Sequence, residues 1–122
     1  MIPGDKMLEI ARGLLEKTQR HEARWRPDSV DDFAYVVYLP GSRIRIALES
    51  NTEAFNKVVS FTVSDADDVP VGRLEGRNDE AVGQVLHTLF NEASRVATKW
   101  DKVLQEVERA LSSEGLIGAA GK

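Results

Sequence analysis

Residues 20–32, RHEARWRPDSVDD, gather the side chains with the most chemical potential in the chain: a histidine beside a glutamate, three arginines around a tryptophan, and three aspartates. His21-Glu22 starts the motif H-E-x-x-H, in which two histidines one helical turn apart hold zinc while the glutamate polarises its water. Trp25 stands where the second histidine belongs, and His87 is the chain's other histidine. With no cysteine to help, two histidines need a carboxylate to complete even a three-ligand catalytic site. Both are therefore read as structural or solvated, and no metal or other cofactor is expected.

Arg20, Arg24, Trp25 and Arg26, extended by Arg43 and Arg45 from further along the chain, form the second candidate. Arginine forks grip phosphate or carboxylate with two parallel hydrogen bonds, and an exposed indole face stacks a base. Against this stands the preferred expectation that Trp25 plugs a corner between helix and sheet. The arginines then solubilise that corner, with Arg24 or Arg26 paired to Asp28, Asp31 or Asp32.

Other chemistries fail on spacing. The run SDADDVPVG offers Asp65, Asp67 and Asp68 as oxygen ligands, but Val69, Pro70 and Gly76 stand where a calcium loop needs Asp or Asn, Gly and Glu. An aspartate-rich turn accounts for it. Neither a G-x-S-x-G elbow nor a G-x-x-x-x-G-K-[ST] or G-x-G-x-x-G phosphate loop occurs. Asp31 and Asp32 are adjacent, so in an extended segment they point to opposite faces and lead into the first strand. No enzyme activity is expected.

The elements that position these residues follow from periodicity. Residues 5–24 are predicted to be an amphipathic helix capped by Asp5 and ended by Pro27, with Met7, Leu8, Ala11, Leu14, Leu15 and Thr18 on the buried stripe and Glu16 and Arg20 paired on the wet one. From Phe33 to Leu39 the period becomes two. Pro40-Gly41 then predicts a type II turn, and Ile44, Ile46 and Leu48 continue the alternation. Val59, Phe61 and Val63 mark a third strand after the polar loop 50–56, and residues 69–74 mark a fourth, confined to an edge by Pro70.

From Val82 to Leu111 apolar residues alternate at spacings of four and three behind a cap at Asn78 or Asp79. A single helix of roughly 35 residues would be about 50 Å long, against a radius of gyration near ~14 Å for a compact chain of this size. Either the element restarts at Thr98-Lys99-Trp100-Asp101, or it stays whole and its far half packs against another polypeptide. The fold class is thus α+β: a helix, an antiparallel meander of three or four strands, and a long C-terminal helix on one sheet face. Residues 1–114 form one domain and the glycine-rich 115–122 a flexible tail.

At 122 residues with a net charge of −4, the chain is sized for one core and its balance disfavours nucleic acid. No apolar run is long enough for a membrane span and MIPGDK does not resemble a secretory signal. The cytoplasm is the expected location.

The corner Trp25, the run VVYLPGSRIRIAL and the order of elements over residues 5–113 resemble small bacterial helix, three-strand, helix domains. The acidic layout is more loosely similar to type III secretion chaperones, which implies a cytoplasmic homodimer. Unlike them, this chain has no clear strands within its helical half. The expected function is a non-enzymatic protein-interaction or oligomerisation module, self-paired or bound to another protein through Val96, Trp100, Val103, Leu104, Val107 and Leu111. The alternative is a ligand- or nucleic-acid-binding domain using Arg20, Arg24, Trp25, Arg26, Arg43 and Arg45.

Overall fold

The computed structural model describes residues 1–50, 57–77 and 79–112, without the side chains of Ser50, Trp100 and Asp101. Of the expected loop 50–56, Ser50 falls in a strand and 51–56 lie outside the described residues, as do the Asn78 cap and the tail. The order is α1 (Gly4–Gln19), β1 (Arg26–Pro27), β2 (Ala34–Leu39), β3 (Ser42–Ser50), β4 (Lys57–Asp65), β5 (Pro70–Arg77) and α2 (Ala81–Ser112). The strands form one antiparallel sheet in sequence order, a five-stranded meander. The α+β architecture matches expectation, with the two-residue β1 as an addition.

Helix α1 is shorter than its periodicity predicted, and the cause is a helix-ending motif. His21 takes the left-handed conformation at φ 61°. Its N–H donates to the Thr18 carbonyl at 3.1 Å, and the Glu22 N–H donates to the Lys17 carbonyl at 2.8 Å. Those two bonds are the Schellman closure, which satisfies the last carbonyls of a helix. Pro27, expected as the stop, sits instead in β1 at the sheet edge, where its missing donor costs no ladder bond. At the other end Pro3, not Asp5, is the N-cap, and Asp5 lies in the first turn.

Two further local expectations change. Pro40-Gly41 does connect β2 to β3, with Leu39 opposite Ser42, but Gly41 does not adopt the positive φ that a type II turn requires. The N-cap of α2 is Glu80, whose carbonyl accepts the Gln84 N–H at 2.9 Å and whose carboxylate accepts the Arg77 N–H at 3.2 Å. The aspartate turn forms as expected: the Asp65 carboxylate accepts the N–H groups of Asp67 and Val69 at 2.9 and 3.0 Å.

Cross-strand register places Tyr35, Val37, Ile44, Ile46, Leu48, Val59, Phe61, Val63 and Leu74 on one sheet face. Both helices pack there, α1 through Met7 and Ala11, α2 through Leu86, Leu89, Ala93 and Ala97. Hydrophobic burial on this scale stabilises by about 1.5–3 kcal/mol per large side chain. The opposite face is polar, and Val36 is buried there between Arg26 and Arg45 in adjacent strands. Helix α2 does not restart near Thr98. It runs unbroken for 32 residues, about 48 Å. Among the described residues no helix is long and apolar enough to cross a membrane.

Candidate functional site: the distal half of α2 and the corner groove

Helix α2 is held firmly along its first half. The Tyr35 hydroxyl and the Ser94 hydroxyl share a hydrogen bond of 2.9 Å, and the Tyr35 and Phe90 rings meet at 5.4 Å. His87 Nε2 lies 3.1 Å from the Lys57 carbonyl, tying the helix to the start of β4. At the helix start, Gly76 and Gly83 let the backbones of β5 and α2 touch, since a Cβ at Gly76 would sit 2.5 Å from Gly83 Cα.

Beyond Ala97 the same 4-3 pattern continues with no core beneath it. Val103, Val107 and Leu111 are 52%, 48% and 68% exposed, while Val96 and Leu104 are half-buried. The side chain of Trp100, the remaining residue of the predicted set, is outside the described ones. Beside this stripe a groove of about 270 Å³ opens between α2 and the end of α1, lined by His21, Ala23, Arg24, Val96, Lys99 and Val103. Its floor is apolar and two of its rim residues, Arg24 and Lys99, are cationic. Neither pairs with an acid among the described residues, nor do Glu106 and Glu108 further along α2 pair with a base there.

The predicted arginine–tryptophan set does not form one surface. Trp25 is fully buried, its Nε1–H donating to Thr18 Oγ1 at 3.0 Å while that hydroxyl donates to the Leu14 carbonyl at 2.7 Å. A stacking platform needs an exposed aromatic face, and Trp25 has none. Extended backbone alternates its side chains, so Arg24 and Arg26 emerge on the side away from the indole. Arg24 reaches the groove; Arg26 is paired in register with Val36 on the polar sheet face. Arg20 bonds Glu16 at 2.6 Å, Arg43 bonds Asp68 at 2.7 Å, and Arg45 spans Asp28 at 3.3 Å and Asp31 at 3.0 Å. The expected partner of those aspartates was Arg24 or Arg26. Arg45 takes the place because β3 carries it across the sheet to the loop that leads into β2.

Arg73 lies between Glu75 and Glu49 at 2.6 and 3.2 Å, and its hydrogen bond to Glu75 raises its pKa further above the usual arginine value. Arginine is already protonated throughout the working range, so the shift has no titration consequence. A second cleft at the β2–β3 hairpin is lined by Tyr38, Leu39, Arg43, Asp65 and Asp68. Arg43 Nε is buried there without a hydrogen-bond partner. Among the described residues no cluster of three histidine, cysteine, aspartate or glutamate side chains has metal-binding geometry.

Of the sequence-predicted residues, Val96, Val103 and Arg24 thus share one groove, to which the structure adds His21, Ala23 and Lys99. In the sequence Lys99 was read only within the restart signal Thr98-Lys99-Trp100-Asp101; Ala23 and His21 could not be placed beside α2, because the left-handed turn at His21 brings them there. The chain matches no family model, no curated protein and no solved structure.

Proposed function

We propose that the chain is a non-enzymatic protein-interaction or oligomerisation module that buries the distal half of α2 against another polypeptide. The observation that carries this role is the continuous exposed stripe of Val103, Val107 and Leu111 on a helix that outruns the sheet beneath it. Contiguous apolar surface on a soluble chain marks an interaction site, and an unsupported half-helix gains order when a partner covers its seam.

The test uses the dilute full-length chain. Replacing Val103 or Val107 by serine is expected to change its unfolding free energy by less than about 0.5 kcal/mol, as at an exposed site. Amides 103–111 are expected to exchange fast in dilute solution and to become protected as association proceeds. A loss of about 2 kcal/mol or more in the dilute chain, as for a truncated core residue, means that the stripe is packed inside its own chain and overturns the proposal.

A further inference from the structure

The stripe and the groove are complementary halves of one contact. Numbered as a heptad, Ala93 and Val107 fall at a positions, Val96, Val103 and Ala110 at d, and Lys99 and Glu106 at g. In an antiparallel pair of helices a residues meet d residues, and g positions of the two copies lie side by side. Val96 of one copy then packs on Val107 of the other, and Lys99 meets Glu106 twice by symmetry. In a parallel pair g positions flank e positions, here Leu104 and Leu111, and the charges find no complement. The groove points the same way: it lies at the body end of the stripe, so only an antiparallel partner brings a protruding helix end to it.

We infer that the partner of this surface is a second copy of the chain, bound antiparallel so that Val107 and Glu106 of each α2 enter the groove formed by Ala23, Arg24, Val96 and Lys99 of the other. This rests on the interaction role proposed above and names its partner. A two-fold contact is self-complementary, and this one places an acidic, apolar helix end in a basic, apolar groove.

Sedimentation equilibrium on the full chain tests it, with Lys99→Glu, Glu106→Lys and the double swap. Each single reversal creates two like-charged contacts per dimer and is expected to weaken dimerisation about tenfold, whereas the swap returns it to within about threefold of the parent. Both sites are exposed, so circular dichroism is expected to stay unchanged. Because the chain has no cysteine, Val96→Cys and Val107→Cys report the register directly. Oxidation is expected to join the two variants when mixed, and neither when alone.

A chain that stays monomeric through the high-micromolar range overturns the second copy as partner, leaving the interaction role to the serine variants described above. A dimer indifferent to both reversals, or one in which Val96→Cys and Val107→Cys do not cross-link, overturns the antiparallel register.

Discussion

His21 holds a left-handed backbone conformation at φ 61°, which costs an L-residue roughly 1–2 kcal/mol relative to glycine. Its ring makes none of the described hydrogen bonds, whereas its backbone N–H completes the end of α1. Replacing it by glycine is expected to stabilise the chain by about 1 kcal/mol, raising the melting temperature by about 4–8 °C; thermal unfolding measures it, and a lower melting temperature would show that the imidazole holds the corner. The zinc signature at this residue was already broken in the sequence by Trp25. What the sequence hid was that His21 ends the helix, because glycine, not histidine, is the usual mark of that motif. Trp25 was legible as a corner plug from its place before Pro27, but its anchor on Thr18 was not. Thr18 reads simply as one more residue of the apolar stripe.

Strand and helix periods carry most of the elements here. The alternations in β2, β3 and β4 and the 4-3 pattern of α2 are long enough to be read without contacts, and Pro70 marks β5 as an edge. β1 was invisible because two residues have no period. Glycine placement was equally hidden, since the sequence suggests only turns and ends. Gly13 and Gly83 both lie in helices, yet the same substitution is expected to act with opposite sign at each. A Cβ at Gly13 meets nothing within 4 Å, so Gly13→Ala is expected to stabilise by about 0.5–1 kcal/mol through helix propensity. A Cβ at Gly83 would fall on the Arg77 carbonyl, a backbone group that cannot swing aside. Gly83→Ala is expected to cost about 3 kcal/mol or more, as overpacking does at a rigid contact. Urea denaturation of the two variants compares them directly, and equal effects would mean that α2 does not sit against β5 this closely.

Among the described residues each strand pairs with its neighbour in sequence, while α1 and α2, the first and last described elements, close the core against one another. Hairpins form from local contacts, but the apolar sheet face stays bare until α2 folds back over it. Burial of Leu86, Leu89, Ala93 and Ala97 belongs to this closing step, whereas Val103 and Val107 take no part in it. Refolding is therefore expected to show a concentration-independent phase that restores the core, followed by a second phase whose rate rises with protein concentration. Stopped-flow fluorescence over a hundredfold range of concentration separates them; a single phase of constant rate would tie the distal helix to the fold of its own chain.

Being unbroken, α2 also has a mechanical meaning. It is fixed on the sheet as far as Ala97, the last of its described residues to be buried, and the 15 residues beyond project about 22 Å. A bend of about 5° there sweeps the far end through about 2 Å, given the helix rise. A load gripping Val107 and Leu111 acts on that arm with Ala97 as its fulcrum, and the packed first half of the helix and the sheet under it resist as one body.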